Sequence, residues 1–170
     1  MNLRLSLGCA AGAFMLVSAS ASAHMLMIEK QAKAGSWNVM EMALPHACGV
    51  SPTTEIRIQI PEGIDLVRPE VKPNWTMDIT TEALAEPIRE GDTVITERVV
   101  EVSWSGGPLP DLHMERFAAL VKLPQEPGRT LYFKTIQVCE EGEARWIEIP
   151  EGGKRWGEYE HPAPYITLVE

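Results

Sequence analysis

The chain predicts an all-β domain, most simply an immunoglobulin-like β-sandwich, and three observations carry that expectation. Short segments alternate polar and apolar residues with a period of two, the pattern of strands with one buried face. The 13 prolines and 13 glycines fall mostly between those segments, where they mark turns. No segment keeps an apolar stripe at helical spacing through several turns. Many short strands punctuated in this way bury their apolar faces by packing one sheet on another; closure into a barrel is the alternative.

Strands are expected at 24–29 and 36–44. In Glu55-Ile56-Arg57-Ile58-Gln59-Ile60 the alternation is strict, so the isoleucines share one face until Pro61-Glu62-Gly63 ends the strand. Strands at 75–82 and 93–104 flank the turn Gly91-Asp92, and others follow at 116–123, 130–138, 143–149 and 165–169. Gly106-Gly107-Pro108, Pro127-Gly128 and Gly152-Gly153 supply further turns, and residues 150–164, rich in Pro, Gly and charge, read as a loop into the last strand.

Residues 1–23 have the parts of a secretory signal: Arg4, an apolar run from Leu5 to Val17, then small residues ending in Ala21-Ser22-Ala23. The run is shorter than the roughly 20 apolar residues that span a membrane. Ser6-Leu7-Gly8 is a poor context for lipid attachment at Cys9. The expectation is a cleaved signal peptide over 1–23, a periplasmic location and one domain over 24–170. Its 147 residues suffice for a single core. Those residues keep all 24 acidic groups and lose only Arg4 from the 15 basic ones, for a formal charge of −10. Such a surface argues against nucleic acid and anionic membranes as partners and suits cations.

With Cys9 removed, Cys48 and Cys139 form an even pair in an oxidising compartment, which reads as a disulfide. Closing a loop of that length stabilises a fold by about 4 kcal/mol on the chain-entropy model. The competing reading makes the thiolates soft metal ligands.

His24 carries the sharpest functional signal. As a new N-terminus it offers an α-amine and an imidazole Nδ1 that close a six-membered chelate ring around one ion. Cu(II) prefers nitrogen-rich tetragonal sites and heads the divalent affinity order. An N-terminal amine, with an ordinary pKa of about 7.7–8.0, yields its proton readily to that ion. The plain alternative is a histidine incidental to the cleavage junction. His46 lies in a turn two residues before Cys48 and offers a further imidazole, or else a surface loop residue. His113 and His161 read as solvated. Met25, Met27, Met40 and Met42 alternate within strands, so core packing explains them better than a soft Cu(I) site. The five tryptophans are expected to be buried or partly so. No nucleophile elbow, phosphate loop or paired histidine motif is present.

The ordered pattern resembles the YcnI-like domain, an exported bacterial copper-binding domain. The matching elements are His24 after the cut, Gly35-Ser36-Trp37, Leu44-Pro45-His46-Ala47-Cys48-Gly49 with Ser51-Pro52-Thr53-Thr54, and Ile56-x-Ile58-x-Ile60-Pro61-Glu62-Gly63. They continue with Val71-Lys72-Pro73-Asn74-Trp75, Val102-Ser103-Trp104-Ser105-Gly106-Gly107-Pro108-Leu109-Pro110 and Arg145-Trp146-Ile147-Glu148. The resemblance implies an immunoglobulin-like sandwich that binds Cu(II) through the amine and imidazole of His24, with Trp146 beside the metal. It also implies an acidic residue in the turn after the second strand, where this chain has Ala47. His46, Glu29, Glu55 or water is expected to take that place, His46 first. A Cys48–Cys139 bond would tie that turn to the strand region bearing Trp146.

The functional expectation is a copper-binding protein of copper trafficking or homeostasis, not an enzyme, with copper and other periplasmic copper-handling proteins as partners. A copper-dependent oxidative enzyme and a metal-free interaction module of the cell envelope are the alternatives.

Overall fold

The computed structural model describes residues 24–170, and the signal peptide expected over 1–23 lies outside the described residues. In chain order the strands are β1 (Leu26–Met27), β2 (Gln31–Lys33), β3 (Trp37–Leu44), β4 (Thr53–Gln59), β5 (Val67–Pro69), β6 (Trp75–Glu90), β7 (Thr93–Leu109), β8 (Glu115–Lys122), β9 (Thr130–Tyr132), β10 (Thr135–Cys139), β11 (Glu143–Trp146) and β12 (Tyr165–Val169). They form a sheet ordered β1-β3-β8-β5, a second ordered β11-β10-β4-β7-β6, and a small third ordered β2-β12-β9. Among the described residues, no helix is long and apolar enough to cross a membrane.

The two larger sheets pack through their alternating apolar faces. Met40, Met42 and Leu44 of β3 and Phe117, Ala119 and Val121 of β8 are buried with Ile56 and Ile58 of β4 and Val102 and Trp104 of β7. Phe117 makes the junction, its ring 5.5 Å from Trp104 and 5.3 Å from Trp75. The Trp104 indole N–H, which burial would otherwise leave unmatched, donates to the Glu70 carbonyl at 3.0 Å. Met25 and Met27 join Met40 and Met42 in the core, as their spacing predicts.

Several strand limits depart from the sequence pattern. The 24–29 segment forms a strand only over β1, and 143–149 only over β11 with an isolated bridge from Glu148 to Pro162. The short β2 and β5, absent from the pattern, arise by pairing with β12 and β8. The 75–82 and 93–104 strands extend into one long β6–β7 hairpin. Toward its tip most residues on both faces are exposed, so backbone pairing persists where no apolar alternation is required. The segment 130–138 is not one strand: β9 pairs with β12, whereas β10 pairs with β4 and β11. Phe133 N–H donates to the Pro164 carbonyl and the Lys134 carbonyl accepts from Gln59 N–H, which marks the change of sheet.

Candidate metal centre

Antiparallel pairing of β1 with β3, Leu26 opposite Ala43 and Met27 opposite Met42, carries His24 to the end of β3 where the chain enters Pro45-His46. There the His24 ring lies 5.0 Å from Trp156 and 6.3 Å from Trp146. Its Nε2 stands 3.0 Å from the Tyr159 carbonyl oxygen. A carbonyl only accepts, so Nε2 carries the donated proton. Nδ1 is the nitrogen that shares a six-membered chelate with the α-amine.

The loop that seats His24 is fixed from several sides. Trp156 donates its indole N–H to the Ala163 carbonyl at 2.7 Å. The ammonium of Lys30 lies 5.0 Å over the Trp156 ring. Tyr159 Oη accepts from Glu151 N–H at 2.8 Å.

His46 approaches the same indole from another direction, its ring 6.2 Å from Trp146. Its Nδ1 donates to the Ala47 carbonyl at 2.5 Å. The buried Gln137 of β10 organises both groups: its amide donates to the His46 carbonyl at 3.0 Å and to Thr53 Oγ1 at 2.8 Å, and accepts from the Trp146 indole at 3.1 Å. Sequence reading missed Gln137. Its signal was the inward phase of Thr135, Gln137 and Cys139, polar side chains where an apolar face is the rule.

Cys48 and Cys139 form a disulfide, so neither sulfur is a thiolate ligand in this oxidation state. The bond joins the His46 turn to β10, two residues beyond Gln137.

His161 corrects the expectation of a solvated side chain: its ring is half-buried, 5.1 Å from Trp146. Its backbone N–H donates to the Glu148 carboxylate at 2.5 Å, and its carbonyl accepts from Glu148 N–H at 3.1 Å. His113 is exposed, as expected. Neither carboxylate considered as a replacement near Ala47 is the one found there. Glu55 is paired with Arg57 at 2.9 Å and Glu29 is exposed. Asp111 instead accepts the Ala47 N–H at 3.2 Å.

Among the described residues no group of three or more His, Cys, Asp and Glu side chains gathers around one point as a metal cage. The chelate expected at His24, built on one residue, would need no such cage. The hydrogen bond to Tyr159 fixes the tautomer and ring direction that such a ligand requires.

A solved structure described as an uncharacterised protein from Nocardia farcinica with an immunoglobulin-like fold matches with a TM-score of 0.65 and 23% identity. The match covers 86% of this chain and 99% of that one. The architecture is therefore an immunoglobulin-like β-sandwich. No curated protein matches the chain. The model of the family described as "Domain of unknown function (DUF1775)" matches residues 24–168, nearly the whole of the described chain, and the chain belongs to that family.

Proposed function

We propose that cleavage after Ala23 gives a periplasmic protein that binds Cu(II) through the α-amine and Nδ1 of His24 and serves copper trafficking or homeostasis rather than catalysis. The observation that carries this reading is the seating of the His24 imidazole beside Trp156 and Trp146, its ring direction fixed by the Nε2 hydrogen bond to the Tyr159 carbonyl. The resemblance to YcnI-like domains, which belong to the same family, supports it, as does a family match that begins at His24. Trp146 and Trp156 give the imidazole an aromatic surround. His46 is the second imidazole of choice, beside Trp146. Other copper-handling proteins of the periplasm are the partners this reading implies.

The test is Cu(II) titration of the chain beginning at His24 beside the same chain with one extra N-terminal Gly. The added residue moves the amine off the histidine and breaks the chelate without touching the core. Tight binding only by the first form is expected; equal binding by both would reject the His24 chelate. His24→Ala and His46→Ala then apportion the donors.

A further inference from the structure

We propose that the rings of Trp156, Tyr165 and Tyr132 form a relay that carries oxidising equivalents away from His24 to the face of the small third sheet. The proposal rests on the copper reading for the source of the oxidant; the relay itself is a property of the chain.

The rings stand in series. From centroid to centroid, His24 lies 5.0 Å from Trp156, Trp156 lies 6.1 Å from Tyr165, and Tyr165 lies 5.9 Å from Tyr132. Electron transfer slows exponentially with distance, so a series of short steps outruns one long step. Strand register holds the last step, because Tyr165 of β12 stands opposite Tyr132 of β9. On the same face the paired hydroxyls of Thr130 and Thr167 are 3.2 Å apart. The other indole beside His24 offers no such exit. Trp146 is 3% exposed, and its ring contacts among the described residues are with His24, His46 and His161. Imidazoles yield electrons far less readily than phenols.

Local chemistry drives the charge outward. The Trp156 indole N–H donates to the Ala163 carbonyl at 2.7 Å. A carbonyl is too weak a base to take that proton, so the oxidised indole stays a radical cation. The Lys30 ammonium, 5.0 Å from the same ring, repels the added positive charge. A phenol escapes this repulsion, because it sheds its proton as it loses its electron and ends neutral. Tyr165 and Tyr132 are only half-buried, so water can receive their protons. Burial and the neighbouring Tyr165 and Tyr159 phenols push the Tyr132 pKa above its ordinary value of 10.0, and it rests as the protonated phenol at neutral pH.

Hydrogen peroxide meeting reduced copper at His24 takes one electron from Cu(I), one from Trp156 and two protons, and leaves two molecules of water. Tyr165 gives an electron to the indole and its phenol proton to water. Tyr132 then gives an electron to Tyr165, which regains a proton as Tyr132 loses its own. A one-electron donor in solution, such as ascorbate, restores Tyr132. The oxidising equivalent leaves at the surface instead of destroying the histidine.

Pulse radiolysis of the metal-free chain of residues 24–170 with the azide radical, which oxidises indoles in preference, tests the relay without copper. Indolyl absorption should decay as tyrosyl absorption rises, at a rate independent of protein concentration. Tyr165→Phe, which removes only a hydroxyl, should slow that conversion by at least about tenfold. Trp156→Phe should remove most of its amplitude, with circular dichroism reporting the fold of each variant. A rate unchanged by Tyr165→Phe, or one that scales with protein concentration, would overturn the relay. The copper-loaded chain is then treated with ascorbate and hydrogen peroxide, and peptide mapping follows oxidation of His24. His24 should be oxidised about tenfold faster in Trp156→Phe than in the parent, and the form with the extra N-terminal Gly should lose this dependence. Equal His24 oxidation in a parent and a variant that both bind copper would overturn the protective role. If radical transfer holds in the metal-free chain while the extra Gly changes nothing in the copper experiment, the His24 chelate fails and the relay stands.

Discussion

The Trp146 indole N–H reaches Gln137 Oε1 diagonally across the β10–β11 pair, at 3.1 Å, although Trp146 stands opposite Thr135 and Gln137 opposite Ala144. The same amide donates to the His46 carbonyl and to Thr53. One side chain thus sets the position of the tryptophan relative to the histidine turn, and both face the region that His24 enters.

Replacing Gln137 with Leu should leave the buried indole N–H and the His46 carbonyl without these partners. A loss of about 3 kcal/mol is expected, since each orphaned group costs about 1–3 kcal/mol. Urea unfolding measures it, and tryptophan emission should shift with it. A variant as stable as the parent would mean that water or a rearranged neighbour satisfies both groups.

The Cys48–Cys139 bond spans a sequence separation of 91 residues, so its removal frees a long loop in the unfolded chain. The Cys48→Ser/Cys139→Ser variant should lose about 4 kcal/mol on the chain-entropy model and melt about 10 °C lower while remaining folded at 25 °C. Thermal melting followed by circular dichroism decides; a variant already unfolded at that temperature contradicts the expectation.

Glu115 gives the fold a modest dependence on pH. Burial pulls its carboxyl upward, but the hydrogen bond from Lys72, the Arg116 N–H and the Lys72 charge outweigh burial and hold it below its ordinary value of 4.5. The Lys72 ammonium is 2.8 Å from Glu115 Oε1. Folding therefore favours the ionised form, and its contribution is complete above about pH 4.5 and fades as pH falls through the lower, folded value. Glu115→Gln should cost about 0.5 kcal/mol at pH 7, the scale of a solvent-screened pair. Denaturant midpoints taken from pH 7 down to pH 3 should show parent and variant converging; divergence on acidification would refute the assignment.

Gly106 lies in β7 opposite Trp75 with φ at 155°. A Cβ there would come within 2.4 Å of the Asn74 carbonyl oxygen and 2.9 Å of Trp75 Cα. Backbone atoms on both counts leave little room to yield, so Gly106→Ala should destabilise by about 2 kcal/mol. Calorimetry of the variant beside Gly91→Ala separates the crowding from backbone strain. Gly91 also has a positive φ, but no atom lies within 4 Å of its Cβ position; equal losses would assign the whole effect to backbone strain.

Much of the sandwich was legible because burial of one face imposes a period of two: Ile56, Ile58 and Ile60 alternate in sequence and are all buried. Where that cause is missing, the signal is missing too, as in the outer half of the β6–β7 hairpin. The break between β9 and β10 was hidden for the opposite reason. Leu131, Phe133, Thr135, Gln137 and Cys139 are all buried in unbroken alternation, so the pattern continues while the backbone changes partners. His24 and His46 could be singled out from their places in the chain and Trp146 through the family resemblance, and the fold brings both histidine rings to that indole. Gln137 and His161 join them only through the order of strands and the course of the 147–164 loop, neither of which periodicity encodes.

The Tyr159 carbonyl that receives the His24 ring lies 135 residues farther along the chain. Chains are made from the N-terminus onward, so His24 is seated by a residue synthesised 135 positions after it. Its tautomer and its aromatic surround are set only when the final loop arrives, and a nascent chain lacking that loop holds the histidine without its pocket.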